Sequence, residues 1–244
     1  MAEGSRAHAG RGALVERERG TPQGAVVSPV LANLFLHYAF DCWMQREYPD
    51  VLFERYADDA ICHCASEARA RELHQALDKR FAECRLQLHP RKTKIVYCKD
   101  ANRTGEYPER SFDFLGYTFR PRVAIGRHRK RFVSFIPAVS GKAAKRMRLE
   151  VRRWRMHLRS DLELEEIAKW ARPILTGWVR YYGRFYPSKL RRELRTIDAF
   201  IVRWVSRKYK RFRGHTMAAW EWLRSLRRRN PTLFAHWALG PAAG

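Results

Sequence analysis

Two adjacent carboxylates, Asp58 and Asp59, sit in the run Tyr56-Ala57-Asp58-Asp59, with Val51-Leu52-Phe53 before it and Ala60-Ile61-Cys62 after it. Like charges side by side repel, so a pair on a tight turn between two short apolar strands asks for a reason. A turn lets both side chains leave the same end of a sheet. Oxygen donors placed in this way suit divalent cations, and two Mg2+ ions can clamp the attacking and leaving oxygens of an in-line phosphoryl displacement. Aspartates are also common turn residues, so the pair alone leaves both readings open. Lys92, in Arg91-Lys92-Thr93-Lys94, is either a cation and proton source facing a leaving group or a solvated surface lysine. Cys62-His63-Cys64 resembles a metal tract. The next cysteines stand at 84 and 98, so no second close pair completes a tetrahedral site, and alternation along a strand is the simpler reading.

The elements that must position these residues follow from periodicity. Val27, Val30, Leu31, Leu34, Tyr38 and Cys42 recur at helical spacing and predict a helix ending near Tyr48-Pro49. Residues 51–65 predict strand, tight turn and strand. Ser66 predicts the cap of a helix with Ala70, Leu73, Leu77 and Phe81 on its apolar face. Lys94–Lys99, Phe112–Phe119 and Phe132–Ile136 predict further strands. From Ser140 the pattern is helical only, over 141–158, 161–182, 188–210 and 216–228, and Leu190, Leu194, Ile197, Ile201, Val205 and Tyr209 form one apolar stripe.

Charge divides the chain of 244 residues the same way. Residues 1–139 hold 23 Lys+Arg against 17 Asp+Glu, whereas residues 140–244 hold 26 against 8 and carry seven of the eight tryptophans. Such an excess is unfavourable unless a polyanion relieves it, and nucleic acid is the default partner. With 45% hydrophobic residues the chain can bury a core, which excludes a disordered basic tail. The longest apolar run, Ala25–Phe40, is broken by Ser28, Pro29, Asn33 and His37, which excludes a membrane span, and Met1–Arg19 lacks the apolar centre of a secretory signal. Five cysteines suit reduced intracellular thiols better than a disulfide framework.

Four motifs stand in order: Gly20-Thr21-Pro22-Gln23-Gly24 before Val-Val-Ser-Pro-Val-Leu-Ala-Asn-Leu; Tyr56-Ala57-Asp58-Asp59; Leu88-His89-Pro90-Arg91-Lys92-Thr93; and Phe112-Asp113-Phe114-Leu115-Gly116-Tyr117. The set resembles the palm of reverse transcriptases encoded by group II introns. Gly177-Trp178-Val179-Arg180-Tyr181-Tyr182-Gly183, Arg203-Trp204 through Arg213-Gly214, Ala219-Trp220-Glu221-Trp222-Leu223 and Pro231 through Trp237 resemble the thumb, or maturase, region of the same proteins.

The resemblance implies a fold and a set of roles. The fold is α+β, a partial reverse-transcriptase palm with an antiparallel sheet followed by an all-α thumb. The expected divisions are a coil at 1–19, the palm at 20–139, the thumb at 140–238 and a tail at 239–244. By resemblance Asp58 ligates both catalytic Mg2+ ions, with Asp59 a less critical neighbour. Tyr56 sits under the primer end, Ala57 keeps the turn slim beside the incoming dNTP, and Gln23 and Gly24 line the nucleotide and template contact. Ala25 stands where the family usually has a second glycine. Lys92 lies near the triphosphate, and Phe114-Leu115-Gly116-Tyr117 forms the primer grip. The implied partners are structured intron RNA, an RNA template and a DNA primer, with no membrane. Arg152, Arg153, Arg203, Arg207, Lys208, Lys210, Arg211 and Arg213 are the candidate phosphate contacts. Trp178, Trp204 and Trp222 read as core.

The family's further catalytic carboxylate comes from a strand upstream of a Gly20-type motif, after a fingers domain. The acidic residues before Gly20 are Glu3, Glu16 and Glu18. The expectation is therefore an N-terminally truncated reverse transcriptase/maturase, inactive as a polymerase by itself and possessing a missing N-terminal polypeptide as partner. The alternatives are a non-catalytic intron RNA-binding splicing cofactor and an inactive mobile-element remnant. The expected location is bacterial cytoplasm, with an organelle as the other option.

Overall fold

The computed structural model describes residues 6–9, 13–16 and 26–239, apart from positions 104 and 127. Its backbone divides into two compact units, Met1–Ile95 and Val96–Gly244.

In the first unit, β1 (Arg6–Ala9) and β2 (Ala13–Glu16) pair antiparallel, with Ala7 opposite Val15. This corrects the expectation of coil over 1–19. The Ala13-Leu14-Val15 run is short but apolar and β-prone, enough to close a ladder across a four-residue partner. Next, α1 (Ser28–Leu36), a π-helical turn (His37–Asp41) and α2 (Cys42–Glu47) run on continuously. Pro29 lies in the first turn, where its missing N–H leaves no helical bond unmade.

The expected apolar stripe on this helix is not the buried face. Val27, Val30, Leu31, Leu34 and Tyr38 are exposed, and the buried residues are Ala39, Phe40 and Met44. No residue of α1 is buried, so no face of this helix meets the core, which begins at Ala39 in the π turn. β3 (Leu52–Tyr56) and β4 (Asp59–His63) form a hairpin, with Phe53 opposite Cys62. α3 (Glu67–Glu83) starts where the Ser66 hydroxyl accepts the Arg69 N–H at 3.1 Å. Phe40, Met44, Val51 and Leu73 form the core of this unit, and Phe40 meets the rings of Phe53 and Phe81 edge-on.

The second unit opens irregularly. Lys94–Lys99 was expected as a strand, but it makes isolated backbone bonds instead of a ladder. The Tyr97 N–H donates to Glu109 O at 2.9 Å and the Lys99 N–H turns back on Tyr97 O at 3.0 Å. Apolar content alone does not make a strand without a neighbour to pair along its length. β5 (Phe112–Phe114), β6 (Tyr117–Ile125) and β7 (Arg131–Val139) form an antiparallel sheet in that order. The helices α4 (Gly141–Arg153), α5 (Leu164–Tyr182), α6 (Pro187–Lys208) and α7 (Thr216–Arg229) follow, and the turn of Ala235–Leu239 closes the unit.

α5 begins with a capping box between Glu163 and Glu166. On α6, Leu190, Leu194, Ile197, Ile201 and Val205 are all buried, as the stripe predicts, and Tyr209 packs against the same core. Trp204 is buried, while Trp178 and Trp222 are half-buried against that core. The passage from sheet to helix at Pro137–Gly141 thus lies inside one unit, and the units divide about forty residues earlier, at Ile95. No helix among the described residues is long and apolar enough to cross a membrane.

Candidate active site and nucleic-acid surface

The carboxylate pair lies at the tip of the β3–β4 hairpin. Tyr56 and Asp59 are the last paired residues, so Ala57 and Asp58 alone make the turn. Ala57 has φ 55°, in the left-handed region. An alanine there costs about 1–2 kcal/mol relative to an ordinary backbone, so the surroundings must hold the turn in shape. Tyr56, Ala57, Asp58 and Asp59 are all exposed.

Arg55 holds it from beneath. Its Nε and Nη2 donate to the two oxygens of Asp41 at 2.7 and 2.6 Å, and its Nη1 donates to Asn33 Oδ1 at 3.0 Å and to the Ala57 carbonyl at 2.9 Å. The Asn33 amide nitrogen donates to Pro29 O, which turns its oxygen toward Arg55. One guanidinium therefore ties the long helix to the carbonyl inside the turn. The hydrogen bond from Arg55 holds the Asp41 carboxyl below its usual range; burial opposes this, and His37 adds to it. Asp41 closes the π turn.

Sequence reasoning missed Arg55, Asp41 and Asn33. A signal was available. Phe53 and Arg55 share the inner face of β3, and a charge on a face that otherwise packs against a core needs a partner.

Asp58 and Asp59 offer the hard oxygen donors that Mg2+ prefers. Among the described residues, no group of three or more His, Cys, Asp or Glu forms around them or elsewhere. The donor type fits a magnesium ion, and the donor count is short of the set that a metal pair needs. Lys92 is exposed on a separate turn, where its N–H and that of Thr93 donate to His89 O. Gln23 and Gly24 lie outside the described residues, as does the rest of Gly20–Ala25. Cys62 is half-buried, and burial pushes its thiol up to about 12.

In the second unit the Phe114-Leu115-Gly116-Tyr117 run is the β5–β6 turn. Leu115 and Gly116 both have positive φ, 49° and 80°. This turn is bound to the end of α5. The Tyr181 hydroxyl donates to Leu115 O at 2.9 Å, the Tyr117 hydroxyl donates to Tyr181 O, and the Ser140 N–H donates to Gly116 O at 2.9 Å. A Cβ on Gly116 would come within 2.7 Å of the Tyr182 hydroxyl, so glycine is required by both conformation and space. Burial, with Tyr181 and Tyr182 nearby, pushes the Tyr117 hydroxyl up to about 12, and it stays a neutral donor. Half of Tyr181 is exposed, and its hydroxyl is committed to the turn.

The candidate phosphate contacts divide into two sorts. Arg152, Arg203, Arg207, Lys210, Arg211 and Arg213 are exposed, with Arg203 over the Phe200 ring and Arg211 over Phe212. Arg153 is exposed too and reaches Glu150 at 3.7 Å. Lys208 departs from the expectation. Its ammonium donates to Leu162 O at 2.7 Å and Glu163 Oε1 at 2.5 Å, so it staples the α4–α5 connection to α6. A buried cluster ends the unit: Asp198 accepts from the Trp237 Nε1–H at 2.9 Å and lies 3.0 Å from His236 Nε2.

Comparison with known proteins agrees with this geometry. Residues 7–119 match the family described as reverse transcriptase (RNA-dependent DNA polymerase). Residues 144–220 match the group II intron maturase-specific domain. No curated protein matches the chain. The carboxylate turn lies within the first match, and α5, α6 and the start of α7 lie within the second. The order of the two domains, polymerase then maturase, places the chain in the family of group II intron-encoded reverse transcriptases/maturases.

Proposed function

We propose that Asp58 and Asp59 hold Mg2+ for RNA-directed DNA synthesis and that the second unit binds the structured RNA of its intron to support splicing. The observation that carries the first half is the strained, exposed Ala57-Asp58 turn fixed by Arg55. Strain of this kind persists where the surroundings enforce it and collects at functional sites. Bound Mg2+ would supply charge neutralisation at the transferring phosphoryl group. Asp58 would hold the ion, Asp59 would support it, Tyr56 would carry the primer end, and Lys92 would stand ready to protonate the leaving pyrophosphate. Two carboxylates do not complete a metal pair, so a further carboxylate from another segment joins them during synthesis. The basic, exposed surface of α4 and α6 supports the second half.

Mn2+ is the test ion for the first half. Added Mn2+ should broaden the amide signals of residues 56–60, and Asp58→Asn should abolish the effect; no broadening would refute the metal role. Primer extension tests completeness. The chain alone should show no Asp58-dependent extension, and extension abolished by Asp58→Ala would show that its own donors suffice. RNA affinity should fall steeply with salt. A flat salt response would remove the RNA half.

A further inference from the structure

α4 ends on a left-handed arginine, as α3 does at Arg85. Arg153 is its last residue, Trp154 the cap, and Arg155 follows with φ 47°. This is the place after a helix where glycine is favoured because it adopts the left-handed conformation without a clash. An arginine stands there instead. The short turn Met156–Leu158 comes next and packs on α6.

The connection is pinned to α6 at two points. The Trp204 Nε1–H donates to Arg159 O at 2.7 Å, and Lys208 donates to Leu162 O. Arg203 and Arg207 each stand one residue before an anchor on α6, one helical turn apart and so on one face. The His157 ring lies 5.5 Å from the Phe200 ring, and Arg203 covers that same phenyl ring at 5.4 Å. His157 Nδ1 is buried without a hydrogen-bond partner. Burial, followed by Arg207, Arg203 and Arg155, disfavours the imidazolium, and no carboxylate is among the groups acting on it. Arg155, Arg203 and Arg207 are exposed, and no carboxylate among the described residues pairs with any of the three. Elsewhere in the unit arginines do find acids, as Arg148 does with Glu193.

Arg203, over the ring that His157 also faces, Arg207 one turn further on, and Arg155, two residues before His157, thus lack carboxylate partners and stand on segments that Trp204 and Lys208 tie together. We propose that Arg155, Arg203 and Arg207 form a single preorganised site for one phosphodiester group of bound RNA, with His157 at its floor. The planar forks of arginine suit phosphate oxygens, and the fixed connection removes the cost of gathering the three charges on binding. This rests on the RNA-binding reading above, and it adds that the three arginines act on one phosphate.

Binding of a short oligouridylate to the full chain, measured against salt, tests the number. Arg155→Gln/Arg203→Gln/Arg207→Gln should weaken binding by about tenfold or more, the loss expected for charged hydrogen bonds. Its salt slope should fall by roughly 0.7, the value for one phosphate of a single strand. Each single variant should lose most of the effect, because the three share one ligand. All three positions are exposed, and an unchanged circular dichroism spectrum confirms the fold. Additive single losses with a slope change of roughly three times that size would mean three separate contacts and would overturn the proposal, as would unchanged binding by the triple variant.

Histidine NMR gives the independent arm. Inorganic phosphate should raise the titration midpoint of His157 in the wild type, and the triple variant should not respond to it. If the wild type fails to bind oligouridylate while phosphate still moves His157, the RNA reading falls and the phosphate site stands. If phosphate leaves His157 unmoved, the site itself is refuted.

Discussion

Arg55→Ala is the sharpest test of how the carboxylate turn is held. The substitution removes four hydrogen bonds: two to Asp41, one to Asn33 and one to the Ala57 carbonyl. It leaves the Asp41 carboxylate, whose side chain is 17% exposed, without its cation. Removing one partner of a buried ion pair costs about 3–5 kcal/mol. Both side chains keep some water contact, so the expected loss in the first unit is at the low end, about 3 kcal/mol. Asp41→Asn should lose somewhat less, because an amide oxygen still accepts one bond. The double variant should fall short of the sum by about 2 kcal/mol, the signature of a shared interaction. Amide hydrogen exchange along β3 and β4 is the suitable assay, since it reads this hairpin and not the second unit. The pH dependence has a definite sign. The folded Asp41 pKa is depressed, so its contribution is present above the unfolded carboxylate value of about 3.9 and is lost as pH falls through the lower folded value. Wild type and Arg55→Ala should therefore converge in strong acid. Unchanged exchange in Arg55→Ala, or full additivity in the double variant, would refute the clamp.

Further predictions concern the second unit. Gly116→Ala should cost about 1–2 kcal/mol in urea unfolding, because φ 80° is hostile to an L side chain and the new methyl meets the Tyr182 hydroxyl; a neutral result would mean that the turn relaxes freely. Tyr181→Phe should cost about 1 kcal/mol through loss of its bond to Leu115 O, read by exchange at the β5–β6 turn. Lys208→Met should lower the melting temperature while Arg207→Gln leaves it unchanged, since only Lys208 is committed to internal partners; equal melting temperatures for the two variants would undo that distinction. Asp198→Ala should destabilise by about 1–3 kcal/mol, leaving Trp237 and His236 without their acceptor. Burial pushes the Asp198 carboxyl up, but His236 and Trp237 outweigh it and hold the group below its usual value. Its contribution is thus present at neutral pH and lost on acidification below about 3.9.

Much of this was legible in the sequence for a physical reason. The hairpin around Asp58 is short, alternating and local, so the pattern that predicts it is the one that forms it. The helices of the second unit follow the 3.6-residue period closely, and the buried side of α6 could be read residue by residue. Other features depend on contacts that periodicity does not carry. α1 has the apolar stripe of a packed helix but buries none of its residues, and periodicity cannot show whether a neighbour covers the stripe. Lys94–Lys99 has strand-like residues and no ladder to join. Lys208 reads as one cation among many until Leu162 O and Glu163 are seen around it. Alternation puts Arg55 on the inner face of β3 with Phe53, but its partner Asp41 lies fourteen residues back on another element, so the charge is legible and its role is not.

Backbone strain connects the separate sites. Among the described residues, five other than glycine have positive φ: Ala57, Arg85, Leu115, Arg129 and Arg155. Arg85 follows the end of α3 and Arg129 lies in the β6–β7 turn, places where chain reversal explains the conformation. Arg155 follows the end of α4 in the same way, but it, Ala57 and Leu115 also lie in segments tied down from a distance. Ala57 is held by Arg55, Leu115 by Tyr181, and the segment after Arg155 by Trp204 and Lys208. In each case a long side chain on a helix or strand donates to a backbone carbonyl of a strained segment or its continuation, so regular elements hold irregular ones in shape. The three segments would present, in turn, a metal-binding carboxylate, a primer-facing turn and a phosphate-binding arginine. Each of these supports lies within one unit, so each segment is held in shape by its own unit.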